Sequence, residues 1–329
     1  MTDPTAALSR RQLFGLAAGA GLAAAAPRIV AAGDGENPPA KKKTRRANRI
    51  GVSTYSFWQF KNKEFQSIER CIDLAADMGF DGVEVLHVQM PATDNAALQK
   101  IKQAAFRRGV DLMGFSTHQT FVSPEKAVRQ KNIEHTNMCI ELAYALGIPT
   151  VRVNTGRWGT SKNFDELMAN KGIEPRLEGY SDDDGFEWVI DSLAECLPTA
   201  EKCGVVLGLE NHWGLGREAS GVLRVVDAID SPWLQATLDT GNFLENKYEQ
   251  MQQLAPRAVL VQAKTYFGGG TWYTLDLDYR KIAGILAAVD YEGYISLEFE
   301  GNAPSAEGVP KSLELLRGVF DGTAEPVKI

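Results

Sequence analysis

The sequence predicts a (β/α)8 TIM barrel, a single α/β domain, and three observations predict it. From Arg49 onward, strand-like and helix-like stretches alternate eight times. The eight units span roughly 275 residues, the size of one closed barrel rather than an open doubly wound sheet. The last four strand-like runs carry polar residues at their C-terminal ends: Glu210 and His212, Asp239 and Asn242, Gln262 and Lys264, Glu298 and Glu300. In a parallel barrel those ends share one mouth, where ligands bind.

The elements follow in order. Residues 1–32 read as an export signal of the twin-arginine type: Arg10-Arg11 precedes a weakly apolar Gly/Ala run, and small residues end at Ala32. The run is too short and too weak for a stable membrane span. Residues 33–48, rich in Pro, Gly and Lys, read as a disordered basic linker. The barrel is expected over 49–322 and a short tail over 323–329. Strand one is 50–55, and a helix from about 64 stops at Gly79. Strand two is 82–87, followed by a helix over about 95–108 with Gly109 as its stop. Strand three is 111–118, and a long helix runs from about 124 to 146. Strand four is 150–154, and a helix covers about 185–203 before Gly204. Strands five to eight are the four polar-ended runs, and a last helix covers about 305–320.

Composition excludes several classes. A net charge of −7 disfavours nucleic acid as partner, because phosphate binding needs a basic face. The four cysteines (Cys71, Cys139, Cys196, Cys203) form no CxxC pair and read as buried apolar residues. Strand one leads into Ser53-Thr-Tyr-Ser-Phe-Trp58, which carries no glycine-rich phosphate fingerprint, so no nucleotide cofactor is expected.

Side chains alternate faces along a strand, so Glu210, Asp239, Gln262 and Glu298 can converge as four oxygen donors from four adjacent strands. Three carboxylates and an amide, without cysteine, suit a hard or borderline divalent cation. The competing reading makes each acid a helix cap or an ion-pair partner; four in succession at one end favour the cation.

Leu209-Glu210-Asn-His212, Leu238-Asp239-Thr-Gly-Asn242, Val261-Gln262-Ala-Lys264 and Leu297-Glu298-Phe-Glu300-Gly301 resemble the sugar phosphate isomerase/epimerase family of xylose isomerase-like barrels. The resemblance covers about residues 50–320 and implies a metal held by Glu210, Asp239, Gln262 and Glu298. Many members have His where this chain has Gln262. That change favours Mn2+, with Mg2+ or Co2+ as alternatives, and disfavours Zn2+. The resemblance also implies a two-carboxylate mechanism, in which Glu210 and Glu298 take and return a proton beside a carbonyl while the cation stabilises the enediolate.

The expected function is therefore a metal-dependent isomerase or epimerase of a sugar or keto-sugar. A 3-keto-glycoside lyase with the same metal and base is the alternative, followed by a metal-dependent hydrolase and a non-catalytic sugar-binding barrel. His87, His118 and His212 each close a strand and are candidate substrate contacts, as are Trp58, Asn154, Lys264 and Glu300; His135 reads as structural. Lys264 serves equally as an ion-pair partner of Glu298 or Glu300. Aromatic residues after strands one, four, five and seven suggest sugar stacking, and Phe267-Gly-Gly-Gly-Thr-Trp272 reads as a lid or a tight turn. Expected partners are a carbohydrate and the twin-arginine export machinery, with a periplasmic or other extracytoplasmic location. Self-association is compatible with the sequence but not specified by it.

Overall fold

A computed structural model describes residues 45–327. The signal, residues 33–44 of the linker and the last two residues lie outside the described residues. Eight parallel strands close in sequence order: β1 Ile50–Ser53, β2 Gly82–Leu86, β3 Asp111–Ser116, β4 Thr150–Val153, β5 Val206–Glu210, β6 Leu234–Asp239, β7 Ala258–Thr265 and β8 Ile295–Phe299. The seam is the β1–β8 pair, with Ile50 opposite Ile295. Around the strands stand α1 Tyr55–Trp58, α2 Ile68–Met78, α3 Asn95–Arg108, α4 Lys126–Leu146, α5 Phe164–Ala169, α6 Asp182–Cys203, α7 Ala219–Ile229, α8 Lys247–Leu254, α9 Tyr279–Ala288 and α10 Ser305–Val319.

Local chemistry sets the helix ends. Asp94 accepts hydrogen bonds from the Ala96 and Ala97 amides and starts α3. Ser181 and Asp184 form a reciprocal capping box that starts α6 three residues earlier than expected. Glycines 79, 109, 147 and 204 take left-handed conformations and stop α2, α3, α4 and α6 just before the next strand.

Each strand sends one side outward to the helices and the other into the barrel. On β8, Ile295, Leu297 and Phe299 are buried against the helices. Phe299 fits there because Gly308 of α10 leaves room; a Cβ at 308 would meet its ring at 2.2 Å. Ser296 and Glu298 point inward. The barrel interior is unusually polar, with Glu84, Ser116, Arg152, Thr237, Asp239, Gln262 and Ser296 all buried.

Two expectations are corrected. Strand one ends at Ser53, because Thr54 is helical and begins a single turn over Tyr55–Trp58. The Thr54 hydroxyl accepts the Leu86 amide, which ties that turn to β2. The end of the linker is ordered on the barrel: Asn48 donates to the Tyr291 and Gly293 carbonyls, at 3.2 and 2.9 Å, and Arg45 donates to Tyr291. In the tail, the Val327 amide donates to the Gly284 carbonyl of α9 at 3.1 Å.

Candidate active site

The C-terminal strand ends surround a cavity of about 610 Å3, large enough for a mono- or disaccharide. Its walls include Tyr55, His118, Arg152, Asn154, Glu210, His212, Asn242, Lys264, Glu298 and Glu300. Asp239 and Gln262 are fully buried just beneath, on the strands between Glu210 and Glu298.

Glu210 closes β5. Its carboxylate accepts the Asn154 and Asn242 side-chain amides, both at 3.2 Å, and faces Arg152 Nε at 3.3 Å. Arg152 is held in turn by the Thr117 carbonyl at 2.7 Å. Burial raises the Glu210 pKa to about 7, although Arg152 opposes the shift. Asp239 closes β6. Asn211 brackets its backbone, accepting its amide at 2.7 Å and donating to its carbonyl at 2.9 Å. One Asp239 oxygen accepts the Gly241 amide at 2.7 Å. Burial drives this carboxyl well above its usual range, against the pull of Lys264.

Lys264 is the hub. Its ammonium lies 3.2 Å from Asp239, 3.0 Å from Glu298 and 3.3 Å from Glu300. Burial alone would lower its pKa, but those three acids outweigh it and hold the ammonium charged. The ion-pair reading of Lys264 is thus realised, and the side chain also lines the cavity. Glu300 accepts the Tyr55 hydroxyl at 2.9 Å.

Gln262 Nε2 donates to Glu298 at 3.1 Å and to Glu84 at 2.8 Å. Glu84, on β2, was not anticipated as a site residue. Ser296 donates to it at 2.5 Å and Ser116 donates as well. The β2–β3 register shifts at Val83/Glu84, where Met113 is an extra residue on β3, and Gly114 opposite Glu84 leaves room for its side chain. Burial raises the Glu84 pKa, and Glu298 adds to the shift. Its signal in the sequence was a lone acid between Val83 and Val85.

The residues fit a divalent cation. Five carboxylates (Glu84, Glu210, Asp239, Glu298, Glu300) face two cations, Arg152 and Lys264, so negative charge is in excess. Gln262 Oε1 is buried without a hydrogen-bond donor, and Asp239 Oδ2 is buried with only its 3.2 Å ion pair to Lys264. Both belong to the oxygen-only set Glu210, Asp239, Gln262 and Glu298, the donor chemistry of a hard ion.

His118, His212, Asn154, Lys264 and Glu300 line the cavity as expected. Trp58 and His87 do not. Trp58 packs at a tilt against Phe60, and Phe60 reaches the cavity instead. His87 turns outward in a 3-10 turn after β2 and meets α4. Phe57 and Trp158 pack into the core, whereas Trp213, Tyr266, Trp272 and Tyr273 line the mouth. The glycine run after β7 is a tight turn: Gly268 and Gly269 are left-handed, and the Ala303 and Asn302 amides pin it at 3.0 and 2.7 Å.

A closed barrel with acids at one mouth defines a class of small-molecule site. The chain belongs to the xylose isomerase-like TIM barrel family, whose profile matches residues 72–319. It is 26% identical to the 3-oxo-isoapionate decarboxylase of Pectobacterium atrosepticum over 225 residues, 66% of this chain and 68% of that protein. Its fold matches 3-keto-D-glucoside 4-epimerase YcjR from E. coli with a TM-score of 0.66 at 19% identity, over 82% of this chain and 99% of that one. It matches D-psicose 3-epimerase from Clostridium cellulolyticum H10 with a TM-score of 0.65 at 15% identity, over 83% and 99%.

Proposed function

We propose that this protein is an enzyme that moves a proton at a carbon beside a carbonyl, acting as an isomerase or epimerase of a sugar or keto-sugar. The observation that carries the reading is the pairing of Glu210 and Glu298. They stand on β5 and β8, three strands apart on the rim, and both face one sugar-sized cavity. Each is held by fixed donors from behind, which leaves its carboxylate aimed rather than mobile.

Glu210 and Glu298 are the proton carriers: one removes the proton on carbon and the other delivers it to the opposite face or to a neighbouring carbon. Lys264 bridges Glu298 and Glu300 and presents positive charge to the substrate's oxygen. His118, His212 and Asn154 contact its hydroxyls, and Trp272 with Phe164 forms an aromatic side wall. Glu210, Asp239, Gln262 and Glu298 would hold a divalent ion, Mn2+ before Mg2+ or Co2+. When bound, it supplies Lewis-acid polarisation of the oxygens beside the reacting carbon.

A second reading keeps the same site and changes the leaving group. The likeness to a 3-oxo-isoapionate decarboxylase and to a 3-keto-D-glucoside 4-epimerase places a carbonyl at carbon three in both relatives' substrates. Loss of carbon dioxide from the carbon beside that carbonyl, or removal of a proton there followed by loss of an alkoxide from the next carbon, passes through the same kind of enolate. A 3-keto-glycoside lyase or a 3-oxo-acid decarboxylase is therefore the alternative.

The test is solvent exchange. Mature protein loaded with Mn2+ is incubated in D2O with ketoses, aldoses and 3-keto-glycosides, then stripped of metal for NMR. Deuterium beside the carbonyl is expected, and the product sorts epimerase from isomerase, lyase and decarboxylase. Absence of exchange across the panel, with bound metal confirmed, overturns the reading in favour of hydrolysis or simple binding. We propose further that residues 1–32 direct folded protein out of the cytoplasm; lysines in place of Arg10 and Arg11 are expected to retain it inside, as cell fractionation measures.

A further inference from the structure

Outside the mouth, one cluster remains unexplained by this chemistry. His87 leaves the end of β2 on the wall side and packs at a tilt against His135 of α4, ring centroids 5.0 Å apart. Cys139 lies one turn further along α4, on the same face as His135. Its Sγ is 3.7 Å from His135 Nε2. One ligand atom from each of the three lies within 4.8 Å of the other two, the only such trio of His, Cys, Asp or Glu among the described residues.

We propose that His87, His135 and Cys139 form a second metal site, distinct from the carboxylate mouth, for Zn2+ or a similar borderline ion. The donor chemistry separates the two sites: oxygen only in the mouth, two imidazoles and a thiol here. The geometry is close to what zinc needs. With Zn–S near 2.3 Å and Zn–N near 2.0–2.1 Å, a tetrahedral ion sets S and N about 3.6 Å apart. The Cys139–His135 edge already has that length. His87 is half-buried, and its ring nitrogen, within 4.8 Å of the other two ligand atoms, has at most about 1.5 Å to close. Among the described residues, His87 has no hydrogen-bond partner for its ring nitrogens, and His135 has only the Cys139 sulfur.

Both imidazoles are ready as ligands. Burial lowers the pKa values of both, and His135 lowers that of His87 further, which favours the uncharged ring that binds metal. Burial pushes the Cys139 thiol up to about 12, so it stays protonated without an ion. Binding breaks the S–H bond and forms a metal–sulfur bond, and the proton leaves to solvent, one per ion bound. Water takes the fourth position on the half-exposed His87 side. Such an ion would tie α4 to the C-terminal end of β2, next to Leu86 in the cavity wall.

Cobalt reports the site directly. Full-length protein, reduced and stripped of metal, is titrated with Co2+. A near-ultraviolet thiolate-to-cobalt charge-transfer band is expected, with release of one proton for the ion that raises it. Cys139→Ser is expected to lose the band. Because Cys139 is fully buried, His87→Gln at the half-exposed position is the second variant, and it too is expected to lose the band. Asp239→Asn, which disables the mouth set, is expected to keep it. A band that survives both Cys139→Ser and His87→Gln, or no band at saturating Co2+ in the unaltered protein, overturns the proposal.

Discussion

The two halves of the barrel handle charge differently. The β5–β8 half ends in acids: Glu210, Asp239, Glu298 and Glu300, with Lys264 among the last three. The β1–β4 half contributes groups that hold them. Arg152 and Asn154 grip Glu210, Tyr55 holds Glu300, and Glu84 fixes the amide of Gln262. The contrast teaches that the reactive acids gather on one side of the ring, while their supports come from both sides: Asn242, Asn211, Gln262 and Lys264 act from the acid half itself. A change in the acid half should remove chemistry and spare the fold. A change in the supporting half should cost stability or alignment first.

The largest effect is expected in the acid half. Glu298→Gln removes one proton carrier but keeps the shape, and Lys264 retains Asp239 and Glu300. Solvent-deuterium exchange is expected to fall by about 10²- to 10⁴-fold with the thermal midpoint nearly unchanged. Full exchange in this variant would break the two-carboxylate mechanism.

Next comes the supporting half. Arg152→Met leaves Glu210 buried without its ion partner. Removing one member of a buried pair costs about 3–5 kcal/mol, measured by denaturant unfolding. Pairing it with Glu210→Gln removes the orphaned charge as well, so the double variant is expected to recover much of that loss. If Arg152→Met unfolds like the unaltered protein, the supporting role assigned to the β1–β4 half is wrong.

The unequal legibility of the halves has the same physical origin. The acid half stood out because its carboxylates sit at strand ends, after short apolar runs, four times in succession. Strand order and the helix stops at Gly79, Gly109, Gly147 and Gly204 were equally readable, since glycine there answers a local backbone demand. Glu84 was not, because it lies in mid-strand and only the closed barrel brings it to Gln262, 178 residues away. His87 closes its strand just as His118 does. The turn after β2 sends one outward and leaves the other at the cavity, a choice made by loop geometry that alternation along a strand does not encode.

Protonation offers a smaller perturbation. Glu84, Glu210 and Asp239 all have raised pKa values, chiefly from burial. The folded chain therefore holds their protons more tightly than the unfolded chain does. That contribution is full below the ordinary value near 4.5 and is lost as pH rises through about 7 for Glu210. Chelator-treated protein is expected to lose a few kcal/mol between about pH 5 and pH 8. Saturating Mn2+ should flatten that slope, because the ion competes with protons for the same oxygens. A slope unchanged by Mn2+ would separate the titrating acids from the cation set.

The smallest effect is expected at the rim, which belongs to neither half's charge system. Trp272 is 45% exposed, donates from Nε1 to Asp165 at 2.7 Å and meets Phe164 edge-on at 4.6 Å. Nothing in the barrel core rests on it, so Trp272→Ala should fold normally. On the exposed rim, the indole is placed to touch the part of a sugar remote from the reacting carbon. Such a contact is equally strong in the ground state and the transition state, so its loss raises KM and leaves kcat alone. An aromatic contact of about 1 kcal/mol corresponds to roughly a fivefold rise in KM. Steady-state kinetics with the substrate found by exchange measures it. A fall in kcat of tenfold or more would instead place Trp272 over the reacting carbon and move the active centre outward from the Glu210–Glu298 pair.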